Sequence, residues 1–382
     1  MKVLIFTDWY YPGYKAGGPI QSCRNLISTL RQHMNFFVVT SDRDLGENSP
    51  FENISVNEWI PGLNGEQVFY MSPYKKAFAN TLQLLKSVKP DVVYFNSMFS
   101  SRFTIAPLIA IKSAGYKGRV ILAPRGMLHK GALGFKSGKK KLFLSLFKTL
   151  GLHKKLEFHA TDQQEYHDIM LFFPGNECSI VENIPGMNSL QASRIPKALG
   201  ELRLVFVSRI HEKKNLHFLL EILGQANLPG SVLFDIYGYV DDKGYMAKCS
   251  RILAGLPGNI KVQFKGPLPN ADVYNVLPNY HLFVLPTLGE NFGHAIFEAL
   301  NAGVPVVVSD RTPWRNLKEE NAGWDLPLEN GSAFKSAIEE VFVMDDTAFT
   351  VLSDGAKTKA KNFFEKMDYQ HKYMKLFRPN ES

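Results

Sequence analysis

Glu290 and Glu298 stand eight residues apart in GENFGHAIFEALNAG, residues 289–303, between the apolar runs YHLFVLP and VPVVVSD. Such β-branched and aromatic runs read as buried parallel strands, so the two carboxylates fall on a strand, loop, helix and strand. With a helix starting near Phe292, the residues Ile296, Phe297 and Leu300 form a face nearly opposite Glu298, at about 100° per residue. Glu298 shares its side with Ala295 and Ala302. Small neighbours leave room for a ligand, and a carboxylate accepts two parallel hydrogen bonds from a vicinal diol such as a ribose. Glu290 lies in the loop at the strand's carboxyl end, just before Asn291, Phe292 and Gly293, whose backbone N–H groups a helix start leaves unpaired. Those donors and the helix dipole suit a phosphate. Each glutamate also has a plainer reading, as a solvated helix residue (Glu298) or as an acid that favours a helix N-terminus (Glu290).

A second cluster lies in VSRIHEKKNLHFLLE, where Arg209 ends a strand and Lys214 follows at the start of the next helix. Two fixed cations at a strand's carboxyl end can neutralise a diphosphate and stabilise it further as it departs with growing negative charge. The plainer alternative is a solvated arginine and lysine.

The elements that must hold these residues are strands alternating with helices. KVLIF is followed by a loop with Gly17 and Gly18, the helical IQSCRNLISTLRQH and the strand FFVVT; DVVYFN, TIAPLIAIKSAG and RVILAP repeat the pattern. It restarts at LRLVFVSRI and runs through NLHFLLEILGQA, VLFDIYG, YMAKCSRILAGL, IKVQFKG and ADVYNVLPN to the unit of the two glutamates. The fold class is therefore α/β, with two doubly wound, Rossmann-like parallel sheets covered on both faces. The join falls in residues 182–201, rich in Pro, Gly and Ser, which divides the chain into residues 1–190, residues 191–365 and a last helix, 366–382, that could cross back to the first domain. Ligands of open α/β sheets bind outside the strands' carboxyl ends, so two such sheets are expected to face an interdomain cleft.

Composition bounds the function. The 382 residues carry a net charge of +8, and the excess belongs to one half. Residues 1–195 hold 23 Lys and Arg against 14 acids, the remainder 21 against 22, and thirteen Lys and Arg separate Asp91 from Glu157 with no acid among them. Such a field favours a polyanion or an anionic membrane surface. The opening MKVLIFTDWYYPG is too short for a signal peptide's apolar core, and no uninterrupted apolar run reaches the length of a membrane span. A cytoplasmic protein is the expectation. Cys23, Cys178 and Cys249 are odd in number and lack metal spacing, so all three read as reduced and structural.

Glu290 and Glu298, with Phe292 and Gly293 between them and ALNAGVPVVVSD after them, resemble the E-x7-E signature of family-4 retaining glycosyltransferases of the GT-B fold. SRIHEKKN is similar to that family's S/G-R-L-x-x-x-K-G segment, YYPGYKAGGPIQSCRNLISTL to its N-terminal glycine-rich loop and helix, and HATDQQE to its A-T-x-x-E segment. The resemblance implies a retaining transferase that moves a sugar from a nucleotide sugar without a bound metal or other cofactor. By the same resemblance Arg209 and Lys214 hold the donor diphosphate, Glu298 the ribose hydroxyls, and Glu290 the donor sugar's hydroxyls. Asn291, Phe292 and Gly293 lie in the same site, with the N–H groups of Phe292 and Gly293 assisting, while Gly17 and Gly18 approach the phosphates from the other domain. No covalent sugar intermediate on Glu290 is implied; the expected course is same-face attack assisted by the departing phosphate.

Two segments depart from the pattern. ILAPRGMLHKGAL carries Arg125 where many relatives have His. An arginine cannot act as a general base but can bind an acceptor phosphate, with His129 a second residue on the acceptor side. The family's P-N-G segment is altered to ENIPG, residues 182–186. KKKLFLSLFKTLGLHKK mixes Lys with Leu and Phe at helical spacing, so residues 136–155 are expected to lie on anionic lipid at the inner face of the membrane, the plainer alternative being an ordinary packed helix with solvated lysines. With family habit, this points to a glycan acceptor carried on polyprenyl diphosphate, as in surface polysaccharide synthesis. Rival readings are a sugar-nucleotide epimerase of similar architecture, which needs no acceptor surface, and a nucleic-acid binder. The second lacks any nucleic-acid motif in this sequence, so nucleic acid is not expected as a partner.

Overall fold

A computed structural model describes residues 1–129, 137–186 and 193–378. They divide into a first unit, Met1–Ile184 with Asp368–Ser382, and a second, Pro185–Met367. The boundary expected between residues 190 and 191 lies outside the described residues.

The first unit runs β1 (Lys2–Phe6), α1 (Gly18–Leu30), β2 (Asn35–Ser41), β3 (Trp59–Pro61), β4 (Gln67–Met71), α2 (Ala77–Val88), β5 (Val92–Phe95), α3 (Ala106–Ser113), β6 (Arg119–Leu122), α4 (Ser137–Thr149), β7 (Glu157–Ala160), α5 (Gln163–Phe172) and β8 (Cys178–Ile180). Its sheet has the order β3-β4-β2-β1-β5-β6-β7-β8, parallel except for the antiparallel β3–β4 edge pair. Strand order reverses between β1 and β5, the position where open α/β sheets take ligands. Both strands are apolar because both faces are covered; Phe6 stacks on Phe95 with ring centroids 5.3 Å apart.

The helix Tyr369–Phe377 packs with this unit. Lys372 Nζ pairs with Glu182 Oε2 at 2.8 Å, and the Tyr373 hydroxyl donates to the Glu182 carbonyl at 3.2 Å. Arg119 Nη1 donates to the carbonyls of Leu376 and Phe377, two of the last acceptors that a helix end leaves without partners.

The second unit runs β9 (Glu201–Val207), α6 (Leu216–Gln225), β10 (Ser231–Tyr237), α7 (Lys243–Leu253), β11 (Ile260–Gly266), α8 (Val273–Val276), β12 (Leu282–Leu285), α9 (His294–Asn301), β13 (Val306–Ser309), β14 (Gly323–Leu326), α10 (Gly331–Phe342) and α11 (Asp346–Glu365). Its strands are all parallel, in the order β11-β10-β9-β12-β13-β14, and the reversal lies between β9 and β12. Arg209 follows β9 and Glu290 follows β12, so the topology delivers both to one switch point. The connection entering this unit is anchored by buried Lys197, whose Nζ donates to the carbonyls of Ala198, Phe342 and Met344 at 2.8, 3.2 and 3.1 Å.

Several elements differ from the sequence expectation. The short strands β3, β4, β7, β8 and β14 and the helices α2 and α5 have no counterpart in the sequence expectation. ADVYNVLPN holds the four-residue α8 and then a 3-10 turn, Leu277–Asn279, because Pro278 cannot continue an α-helix interior. The helix of the two glutamates begins at His294 rather than near Phe292, because Gly293 takes a left-handed conformation with φ 77° ahead of it. A Cβ there would sit 2.7 Å from Ile296 Cδ1, so both the backbone and the space favour glycine. No helix among the described residues is long and apolar enough to cross a membrane.

Candidate functional site

The loop after β9 is held against the loop after β10. Ser208 and Ile210 donate backbone N–H bonds to the carbonyls of Tyr237 and Tyr239 at 3.0 and 2.8 Å, and Asp241 returns one to Ile210 at 3.2 Å. Ile210 is fully buried beneath. This lacing brings the Asp241 carboxylate to 3.1 Å from Arg209 Nη1. Further along, His211 caps a single 3-10 turn, Glu212–Lys214, by accepting from the Lys213 N–H at 3.1 Å. Asn215, left-handed at φ 59°, then turns the chain into α6.

The loop after β12 is fastened to that turn. The Lys213 carbonyl accepts from Leu288 N–H at 2.8 Å and from the Thr287 hydroxyl at 3.1 Å, while the Ser309 hydroxyl donates to the Thr287 carbonyl. With both backbones fixed, Lys214 Nζ donates to Glu290 Oε1; the two side chains are only 15% and 14% exposed. Burial would push the Glu290 carboxyl up. The ammonium groups of Lys214 and Lys213, the bond from Lys214 and the Arg209 guanidinium outweigh it and hold the group below the usual carboxylate range.

Behind Glu290 the chain is anchored by Phe292. Its ring packs on Trp314 and Phe363, with centroids 5.7 and 5.8 Å away, and its carbonyl accepts from Trp314 Nε1–H at 2.7 Å. Glu290 N–H donates to the Arg311 carbonyl at 3.0 Å. These contacts set the direction in which Asn291 to Gly293 enter α9. Ile296, Phe297 and Leu300 are fully buried, while Glu298 and Ala295 lie on the half-buried side and Ala302 is buried. Glu298 is near Tyr274: burial raises the Tyr274 phenol well above its ordinary pKa and the Glu298 charge adds to the rise. The Tyr274 hydroxyl donates to the Gly186 carbonyl at 2.7 Å.

The other residues singled out from the sequence belong to the first unit. Gly17, at φ 67°, caps α1, and Gly18 is its first residue. The turn before them is shaped by buried Asp44, whose Oδ2 accepts from the N–H groups of Tyr14 and Lys15 at 2.9 and 3.2 Å. Arg125 lies beyond β6 in a left-handed conformation, φ 55°. Its Nε donates to Asn96 Oδ1 at 2.8 Å, Nη2 to the Tyr94 hydroxyl at 2.8 Å, and Nη1 to Asn183 Oδ1. Asn96 in turn donates to the Pro19 carbonyl at 3.1 Å. The guanidinium therefore ties the ends of β5, β6 and β8 to the first turn of α1, so its donors serve the unit's interior rather than standing open to a phosphate.

A buried histidine completes the network. His159 Nε2 lies 2.7 Å from the Val181 carbonyl, which can only accept, so Nε2 carries the proton and Nδ1 accepts from the Tyr94 hydroxyl at 2.8 Å. Burial, with the Arg125 charge, pulls the His159 pKa down to about 3, so the ring is neutral. His129 contacts Asp168 through Nδ1, away from that network. Lys130 to Leu133, the end of the ILAPRGMLHKGAL segment, lie outside the described residues.

The structure therefore brings Arg209, Lys214, Glu290, Asn291, Phe292, Gly293 and Glu298 onto one edge of the second unit, while Gly17, Gly18, Arg125 and His129 are held by the first. Sequence reasoning missed Asp241, Lys213 and Trp314. Lys213 sat inside a quoted motif, whereas nothing local marks Asp241 or Trp314 as partners of Arg209 and Phe292. Among the described residues no group of three or more His, Cys, Asp or Glu side chains converges as a metal site.

Residues 190–348 match the family described as glycosyl transferases group 1. Over 94 residues the chain is 34% identical to an Escherichia coli UDP-Gal:alpha-D-GlcNAc-diphosphoundecaprenol alpha-1,3-galactosyltransferase, covering 24% of each chain. Over 179 residues it is 26% identical to WcaL of Salmonella typhimurium, described as a colanic acid biosynthesis glycosyltransferase, covering 44% of each. The chain thus spans less than half the length of either curated relative. Among solved structures, the Anabaena protein Alr3699/HepE in complex with UDP-glucose superposes with a TM-score of 0.71 over 98% of this chain and 99% of that one, at 16% identity. The fold is therefore GT-B, and residues 190–348, which carry Arg209, Lys214, Glu290 and Glu298, are a match to glycosyl transferases group 1.

Proposed function

We propose that the chain is a retaining glycosyltransferase that moves a sugar from a nucleotide sugar to a glycan acceptor, carried on polyprenyl diphosphate, in the synthesis of a surface polysaccharide. The observation that carries this reading is the cation set Arg209, Lys213 and Lys214 at the switch point of the second sheet, joined to Glu290. Arg209 and Lys214 hold the diphosphate, and Glu298 takes the ribose hydroxyls. Glu290 and the N–H groups of Phe292 and Gly293 take the sugar, with Asn291 in the same turn, and Gly17 and Gly18 of the glycine-rich loop are read as further phosphate contacts. In the transfer the bond from the anomeric carbon to the phosphate oxygen breaks, and a bond to the acceptor oxygen forms on the same face. The acceptor's proton passes to the departing phosphate. The cations supply the counter-charge for that departure, so the reaction is read as metal-independent. Arg125 acts on the acceptor side by positioning the rim it ties together, with His129 beside it in sequence.

Thermal denaturation with UDP, GDP and ADP and their sugar conjugates, in EDTA and then with Mg²⁺, tests the donor reading. Ligand that binds the folded state stabilises it by mass action. One nucleotide should raise Tm without metal, and Glu298→Ala should diminish that shift. No shift with any of them overturns the donor site.

The lipid acceptor is supported by α4 and its surroundings. Leu142, Leu146 and Leu150 recur every four residues and are 62%, 52% and 49% exposed, while Leu144 and Phe147 fill the buried side. Lysines flank the stripe: Lys112 Nζ donates to the Leu150 carbonyl, and Lys148 lies over the Phe173 ring. Residue 136 of the expected segment lies outside the described residues. Leucines among lysines suit the boundary of an anionic bilayer, which would hold the protein at the inner, cytoplasmic face of the membrane. The protein should sediment with phosphatidylglycerol vesicles, and Leu142→Ser with Leu146→Ser should release it. Equal sedimentation of that double variant removes the apolar contact from the reading.

A further inference from the structure

We propose that the Lys214–Glu290 ion pair is an exchangeable latch by which the site prefers a nucleotide sugar to the nucleoside diphosphate that remains after transfer. The inference rests on the reading of Arg209 and Lys214 as partners of the diphosphate.

The pair is prepared by the fold. The turn bearing Lys214 and the loop leading to Glu290 are joined through the Lys213 carbonyl, which accepts from Leu288 N–H and from the Thr287 hydroxyl. Glu290 is held at its own N–H by the Arg311 carbonyl. Neither side chain is more than 15% exposed, so water screens the pair less than it would a surface pair. Arg209 shows the same pattern in a wetter place, paired with Asp241 at 3.1 Å with side chains 43% and 29% exposed. The protein thus supplies a carboxylate of its own to each cation assigned to the diphosphate.

A phosphate oxygen that takes a donor from Lys214 competes with Glu290 for it. The carboxylate that loses its partner is poorly solvated, and a desolvated charge without donors is costly. A sugar attached to the diphosphate offers hydroxyl donors to that carboxylate at the same moment; in a nucleoside diphosphate alone the hydroxyls are those of the ribose, which Glu298 takes. The exchange therefore costs little for the whole donor and weakens binding of the nucleotide once the sugar has gone. Arg209 has five N–H donors in a planar fork, so it can keep Asp241 and a phosphate together. Lys214 gathers its three donors on one nitrogen and gives one of them to Glu290, so a phosphate that approaches along that bond displaces the carboxylate, which makes Lys214 the point of exchange.

Glu290→Gln tests this, since glutamine keeps the shape and loses the charge that competes for Lys214. Calorimetry would compare UDP with UDP-glucose, UDP-galactose and UDP-N-acetylglucosamine, and GDP with GDP-mannose, in the wild type and the variant. The latch requires the nucleoside diphosphate to bind Glu290→Gln about five- to tenfold more tightly while the nucleotide sugar gains nothing, so that the preference collapses. In a Lys214→Met background the gain from Glu290→Gln should vanish. Unchanged diphosphate affinity with weaker nucleotide-sugar binding would make Glu290 a plain sugar contact and overturn the latch alone. Equal weakening of both ligands would reduce Glu290 to local support and also overturn it. No binding of any of these ligands to the wild type would remove the donor site and the latch together.

Discussion

Arg209→Ala should lower kcat/KM by about two to three orders of magnitude while leaving Tm nearly unchanged. The first half follows from position. Arg209 leaves β9 beside the strand reversal, and Lys213, Lys214 and Glu290 come to the same place from the turn before α6 and the loop after β12. A positioned cation that meets charge developing on a leaving group is typically worth about 3–4 kcal/mol of barrier once the bound donor has displaced water from it. The second half follows from exposure. The Arg209 side chain is 43% exposed and its partner Asp241 29%, and ion pairs so open to solvent contribute about 0–1 kcal/mol to stability. Arg209→Lys should recover only part of the rate, because a single ammonium cannot hold Asp241 and two phosphate oxygens with the geometry of a fork. Steady-state kinetics with the nucleotide sugar selected by thermal denaturation, alongside unfolding curves, would check both halves. Wild-type turnover in Arg209→Ala would take the diphosphate away from this residue, and a large fall in Tm with proportionate loss of activity would make the effect structural.

The positions of Arg209 and Glu290 at strand ends are legible in the sequence, and the reason is locality. Runs such as LVFV and VPVVV announce central parallel strands by composition alone, and Arg209 and Glu290 each stand a few residues beyond such a run. Once two sheets are read, the rule that ligands gather where the strand order reverses brings those residues to one edge. The partners that tune them are another matter. Asp241 reaches Arg209 because the loops after β9 and β10 exchange backbone hydrogen bonds, and Trp314 reaches the Phe292 carbonyl from a loop beyond β13. Such pairings depend on three-dimensional loop paths that no spacing encodes. The start of α9 was misplaced for a related reason: Asn291 and Phe292 suit a helix well enough, but the left-handed Gly293 separates them from it. Strands of three or four residues, such as β3, β8 and β14, fall below the length at which periodicity speaks, and only their pairing with longer neighbours defines them.

The segment HATDQQE shows the difference between recognising a pattern and knowing its work. Glu165, the last residue of that segment, is 0% exposed. Its Oε1 accepts from Gly126 N–H at 2.6 Å, and its Oε2 accepts from the Thr161 N–H and hydroxyl at 2.8 and 2.7 Å. The carboxylate thus joins the end of β7 to the turn after β6, where Arg125 and Gly126 are both left-handed, at φ 55° and 71°. A non-glycine residue persists in that conformation only when its surroundings over-determine it, and here Glu165 holds one side of the turn while Asn96, Tyr94 and Asn183 hold the other. Glu165→Ala should therefore destabilise the first unit by about 3–5 kcal/mol, because three buried donors lose their acceptor and the nearby Arg125 charge loses an anion. For a unit of this size that corresponds to a fall in Tm of roughly 10 °C or more. Glu165→Gln should lose about half as much: one of its two terminal atoms becomes an N–H₂ group, which faces a donor whichever way the amide is turned. Arg125 should then be released as well, so Glu165→Gln should lose activity at temperatures where it remains folded. Chemical denaturation followed by far-UV circular dichroism would measure the loss. A Glu165→Ala protein within 1 kcal/mol of wild type would mean that the turn at Arg125 is held by its own side chain alone.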